Sequence, residues 1–120
     1  LVSYLSDYPP KNIKIAIELR DKHWWNEISV ATFKKHDFIW VCPDGKKLPQ
    51  EWILTSNTGY IRFHGKKNNK HNYSDDELNW WINMIKSTPP QELFVFFNND
   101  YNANAPHNAL RFIHLLNTNY

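Results

Sequence analysis

The chain has 120 residues, 42% hydrophobic and 16% aromatic, which suffices for one domain around a single core and argues against disorder. Its net charge of +2 with histidines neutral is too small to name a nucleic acid or a membrane surface as the partner. The one cysteine, Cys42, excludes an internal disulfide and fits a reducing compartment. No apolar run approaches the roughly 20 residues that span a bilayer, and no basic segment followed by a long apolar one opens the chain. A cytoplasmic protein without membrane contact is expected. The first residue is Leu1 and not a methionine, as in a processed, trimmed or partial product.

After a short leading segment (residues 1–12, with Val2 to Leu5 as its apolar part), Lys14 to Arg20 reads as a strand. Ile15, Ile17 and Leu19 alternate there with Ala16 and Glu18. Trp25, Ile28, Thr32 and Lys35 then recur at helical spacing, predicting a helix over about Trp24 to His36. Phe38 to Cys42 is a second strand, stopped by Pro43, Asp44 and Gly45, and the stretch to Gly59 is irregular. Tyr60 to His64 is a third strand. Ser74-Asp75-Asp76-Glu77 is a capping box opening a helix whose apolar stripe is Leu78, Trp81, Ile82 and Ile85, and which ends before Pro89-Pro90. Leu93 to Phe97 is the fourth strand, closed by Asn98-Asn99-Asp100. Pro106 suits the first position of a last helix, with Ala109, Phe112, Ile113 and Leu116 as its apolar face.

Strands alternating with helices predict an α/β domain of parallel βα units over residues 13–117, with about four strands, half the number in a (β/α) barrel. In parallel α/β sheets ligands bind beyond the carboxyl ends of the strands. The strands end there on polar side chains. Glu18 and Arg20 share one face of the first strand, Arg62 and His64 one face of the third, because residues two apart point the same way. Asn98 follows the fourth strand on the side of Phe96, and Asp44 follows the second as a further candidate cleft acid. Two guanidiniums offer planar forks to phosphate or carboxylate. Glu18 and His64 are the candidate acid and base, a histidine's ordinary pKa of about 6.5 suiting proton transfer.

Glu18-Leu19-Arg20 followed by Trp24, then Arg62-Phe63-His64-Gly65, then Phe97-Asn98-Asn99-Asp100 with Ala105 and Asn108-Ala109-Leu110, resembles the carboxyl-terminal half of the YecE-like family, domain of unknown function 72. The resemblance runs from about Lys14 to Leu116. It implies the second half of a TIM-type barrel, with these motifs facing a central cleft and Trp24 at its rim. It implies no reaction, since the family's activity is unassigned. Asp21, Lys22 and His23 stand where the family commonly has a histidine, a proline and a serine, and the family's amino-terminal strand motifs have no counterpart.

Three functions fit these residues. The first is a cleft binding an anionic small molecule or a phosphodiester through Arg20, Arg62, Asn98, Trp24 and Asp44, with Glu18 and His64 able to run a hydrolysis. The second is a non-enzymatic binding or assembly module in which Glu18 and the arginines are a structural ion-pair network. The third is nucleic-acid binding through the basic loop Lys66 to Lys70. A metal held by Glu18 and His64 needs further ligands from elsewhere. Half a barrel leaves one face of its sheet uncovered, so pairing with a complementing half or a second copy is expected.

Overall fold

The computed structural model describes residues 12–66 and 70–119, so the leading apolar segment of Val2 to Leu5 lies outside the described residues. Four strands, β1 (Ala16–Ile17), β2 (Ile39–Gly45), β3 (Thr58–Gly65) and β4 (Glu92–Phe97), form one sheet in that order with every neighbouring pair parallel. Helices α1 (Glu27–His36), α2 (Asp75–Ser87) and α3 (Asn104–Asn119) alternate with them. The α/β architecture of parallel βα units read from the sequence is the observed one. The break in the pattern falls between β2 and β3, where residues 46–57 form no helix.

All three helices cover the same face. Phe33 of α1, Trp81 and Ile82 of α2 and Phe112 of α3 pack with Trp40, Cys42, Ile61 and Phe63 into one buried cluster. Along β3 burial alternates: Ile61 and Phe63 face the helices, whereas Tyr60, Arg62 and His64 face the other way. On β4, Leu93, Val95 and Phe97 join the core, while Phe94 and Phe96 are 41% and 47% exposed. Among the described residues no helix covers that face, which is partly aromatic.

Lys14, just before β1, donates to Thr58 Oγ1 and pairs with Glu92 Oε1 of β4, each at 3.1 Å, so its side chain reaches across the amino-terminal end of the sheet.

Several boundaries differ from the sequence reading for identifiable reasons. The β1 ladder is two residues long, Ala16 and Ile17 against Ile39 and Trp40 of β2. α1 begins at Glu27, since the Asn26 side chain accepts from Ser29 N–H at 2.9 Å; Lys22–Trp24 form a separate 3₁₀ turn capped by Asp21. The face α1 buries is that of Val30 and Phe33, leaving Ile28 79% exposed. β2 runs through Pro43, which is tolerated because the β1 ladder has already ended at Trp40. α3 starts two residues before Pro106, after a 3₁₀ turn with Asn102 and Ala103 at positive φ, and buries Ala105, Asn108, Phe112 and Leu115, not Ile113.

The irregular 46–57 stretch is fastened to the sheet by side chains. Thr55 Oγ1 donates to the Phe38 carbonyl at 2.6 Å and accepts from Trp40 N–H at 3.1 Å. Cys42 Sγ accepts from Ile53 N–H at 3.3 Å, and burial pushes this thiol up to about 12, so it stays protonated and inert. Trp52 lies across Gly59, where a Cβ would sit 2.4 Å from the indole, and its ring N–H donates to the Thr88 carbonyl at 3.1 Å.

The capping box of α2 is formed in full: Ser74 Oγ accepts from Glu77 N–H at 3.2 Å and Glu77 Oε1 from Ser74 N–H at 3.0 Å. His71 Nε2 meets the same carboxylate at 2.9 Å. Partial burial pushes the Glu77 carboxyl up, but the Ser74 N–H and the His71 ring outweigh it and the net shift is downward. A carboxyl depressed in the folded state stabilises above its unfolded value, here about 4.5, and the contribution is lost as pH falls through the folded value. Asp75, held down by Arg111, acts in the same direction. Thermal melts across pH 3 to 7 should show Glu77→Gln less stable than the parent near neutrality and the two converging below about pH 4.5; a constant gap would contradict the shift.

Candidate functional site at the strand ends

Four of the expected residues meet at the carboxyl ends of β1 and β3, on the open face. Glu18 is at their centre, its side chain 8% exposed. Its Oε1 lies 2.9 Å from His64 Nε2. Its Oε2 forms ion pairs with Arg20 Nε and, at 3.5 Å, with Arg62 Nη1. The first strand is thereby tied to the third across β2. A carboxylate this buried is tolerable only with cations or donors against it. The two arginines are less enclosed, 64% exposed for the Arg20 side chain and 32% for Arg62, so their forks have edges left over that reach solvent. Two guanidiniums face one carboxylate, and the cluster has surplus positive charge before any proton on His64.

His64 is positioned by the backbone around it. Gly45, opposite the end of β3, would bring a Cβ to 3.4 Å from His64 Cβ, so the ring sits close over the end of β2. Gly65 follows at φ 91°, a conformation that suits glycine, and its N–H is held by Tyr73 Oη at 2.9 Å.

Asn98 directly follows β4 on the side of Phe96, exposed, with its backbone N–H donating to the Phe63 carbonyl at 2.8 Å. Trp24 stands in the turn after Arg20 and is 60% exposed, at the edge of the cluster and outside its bonding.

Asp44 is elsewhere, which corrects the expectation of a cleft acid. It shares the helix-facing parity of Trp40 and Cys42 and is 1% exposed behind the sheet. Its Oδ1 accepts from Tyr73 Oη at 2.9 Å and its Oδ2 from Trp81 Nε1 at 2.7 Å. Burial, and then the Asp44 carboxylate, push the Tyr73 hydroxyl upward, so it remains a donor. Asp44 thus joins the ends of β2 and β3 to α2.

A second polar network behind the sheet was only partly visible in the sequence. Asn99 Nδ2 donates to the His71 carbonyl at 2.7 Å and to Asn108 Oδ1 at 2.8 Å; Asn108 Oδ1 also accepts from Tyr73 N–H at 3.1 Å. Asn99 and Asn108 do tie the last turn to α3. The signal for Tyr73 was its place directly before the capping-box serine, where an apolar residue packs against the first turns of a helix.

Glu18 and His64 are the metal-ligating side chains at the cluster, and among the described residues no group of three His, Cys, Asp or Glu side chains comes together. Among the described residues no helix is long and apolar enough to cross a membrane.

A parallel sheet, helices on one face and a charged cluster at the strand ends of the other define a βα protein whose candidate site lies where such sheets place their ligands. The chain belongs to the DUF72 family of proteins of unknown function, whose model matches residues 1–120. A DUF72 family protein of Thermotoga maritima is similar in structure over 97% of this chain, with 29% identity and a TM-score of 0.85. A DUF72 family protein of Enterococcus faecalis matches 97% of it at 25% identity and a TM-score of 0.80; a second structure of that protein matches 89% at 27% identity and a TM-score of 0.77. The chain spans about half the length of these relatives, 51%, 52% and 50%. Among curated proteins none matches the chain.

Replacing Tyr73 with Phe removes the donor to Asp44 Oδ1 and the acceptor for Gly65 N–H, both buried. Denaturant unfolding should register a loss of about 1–3 kcal/mol. A loss below about 0.5 kcal/mol, the range of ordinary surface substitutions, would show that the bonds are replaced by water and that this network does not hold the strand ends.

Proposed function

We propose that the strand-end cluster binds an anionic, phosphate-containing ligand, with the solvent-facing edges of Arg20 and Arg62 as its contacts. The observation that carries this reading is the buried Glu18 carboxylate, which holds His64 at 2.9 Å and one edge of each guanidinium while leaving positive charge in surplus. Glu18 orients the two forks without neutralising both, and a second anion completes the charge balance. In this reading Asn98 orients the ligand and Trp24 flanks it.

The His64–Glu18 pair adds the means for proton transfer. A carboxylate against one ring nitrogen fixes the imidazole's orientation, leaving the other nitrogen for a substrate or a water. Hydrolysis of a phosphate ester is the reaction we would test first, because positioned guanidiniums stabilise charge that develops on a phosphoryl oxygen.

A non-enzymatic assembly role is the second reading, and one observation favours it: all three of Glu18's partners are side chains of β1, β3 or their ends, so the cluster also fastens strands together. Nucleic-acid binding through the basic loop has less support, since Lys66 is engaged with Gln50 at 3.3 Å and Glu77 at 3.8 Å.

Inorganic phosphate and phenyl phosphate should raise the melting temperature of the parent protein. Arg62→Ala, with its side chain a third exposed, should keep the fold and lose that rise. An equal rise in parent and variant would remove Arg62 from the binding role; no rise in the parent would leave the assembly reading in its place.

A further inference from the structure

The helix layer lacks a member at one point. The chain passes through α1 between β1 and β2 and through α2 between β3 and β4, but β2 and β3 are joined by the helix-free residues 46–57. A cleft of about 690 Å³ lies there, running from α1 across residues 51–54 to Thr88 at the end of α2. It opens on the helix side of the sheet, opposite the face that carries the Glu18 cluster. Small-molecule sites are ordinarily clefts of about 300–1,000 Å³, largely apolar with a few polar groups at fixed places.

The apolar lining is Trp25, Val30, Trp52 and Ile53, all partly buried against the core. Both indole N–H groups are already spent, Trp25 on the Leu19 carbonyl and Trp52 on the Thr88 carbonyl, each at 3.1 Å. What the two rings offer a guest is therefore carbon and π surface, which suits a flat apolar body and attracts a cation. The charged lining is Glu27, Lys34 and Glu51, all exposed. Among the described residues none of the three side chains has an ion-pair or hydrogen-bond partner. Two carboxylates against one ammonium leave the rim net negative. The Glu51 charge is felt by the buried Cys42 thiol, which accepts from Ile53 N–H at 3.3 Å, so this carboxylate stands close to the cleft floor.

We propose that this cleft is a ligand site separate from the strand-end cluster, and that it takes an arylalkylammonium ion, with the aromatic body against Trp25 and Trp52 and the ammonium toward Glu27 and Glu51. Charge selects this class. An anion meets two carboxylates for one ammonium, and an uncharged aromatic gains the apolar contacts alone. A single positive charge balances the rim, with Lys34 opposing any guest that carries its cation on that side. The aromatic body follows from the indoles, whose surface is the largest the cleft presents and has no donor left for a polar guest.

Isothermal titration of the chain with tryptamine, beside tryptophol in which a hydroxyl replaces the ammonium, tests the site. Tryptamine should bind saturably with one-to-one stoichiometry, and tryptophol about tenfold more weakly. Glu27→Gln combined with Glu51→Gln changes two exposed side chains and should stay folded, with tryptamine bound about fivefold more weakly and tryptophol unaffected. Lys34→Gln should act in the opposite direction and tighten tryptamine about twofold. In proton–nitrogen correlation spectra tryptamine should shift the indole signals of Trp25 and Trp52 and leave the Arg62 and His64 amides in place. The proposal is overturned by an absence of saturable tryptamine binding, by equal affinity for tryptophol, by an affinity that the double glutamine variant leaves unchanged, or by shifts confined to the strand ends.

Discussion

Side chains alternate along the parallel strands, and the three described helices lie against one side of them. Nearly every feature of the molecule follows from that alternation. Ile61 and Phe63 are fully buried, while Arg62 between them reaches the opposite face; Val95 joins the core, while Phe94 and Phe96 do not. A one-residue slip of β3 would exchange Ile61 and Phe63 for Arg62 and His64 on the core side. The register is held at several points behind the sheet, by Thr55 on β2, by Trp52 over Gly59 and by Tyr73 against Gly65 and Asp44.

The two buried carboxylates show what the alternation decides. Asp44 and Glu18 both sit at strand ends, and both are almost inaccessible. Asp44 is satisfied by two neutral donors, the Tyr73 hydroxyl and the Trp81 indole, in a dry site that joins sheet to helix. Glu18 is satisfied by cations and a titratable ring that themselves reach solvent. The first arrangement fixes structure and leaves nothing for a ligand. The second has guanidiniums that reach solvent and an imidazole within hydrogen-bond distance, and those properties separate a candidate site from a buried support.

The order of elements was legible because the apolar spacing is strong where it matters: Leu78, Trp81, Ile82 and Ile85 are all buried as the α2 stripe requires. The Glu18–Arg20 and Arg62–His64 pairs were legible because residues two apart on a strand share a face, and the family resemblance set them at one end of the sheet. Asp44 was misplaced because Pro43-Asp44-Gly45 looks like a turn, whereas β2 continues through it and carries the parity of Trp40 and Cys42 onward. The α1 face was misread because Trp25 belongs to the approach to the helix: its indole N–H donates to the Leu19 carbonyl, and Phe33 provides the buried anchor. No local pattern announces the Asn99–Asn108–Tyr73 network, since its members come from three separate segments joined only by the fold.

The central claim is that Glu18 organises the open-face cluster as one interacting unit. A double-mutant cycle on Glu18→Ala and His64→Ala, read by denaturant unfolding at neutral pH, tests it most directly. Removing the carboxylate takes away the buried acceptor while both guanidiniums stay open to solvent, and should cost about 1.5–3 kcal/mol. The double mutant should be more stable than the sum of the single losses implies, with a coupling of about 1 kcal/mol or more. Additive losses, with no coupling between positions 18 and 64, would contradict it.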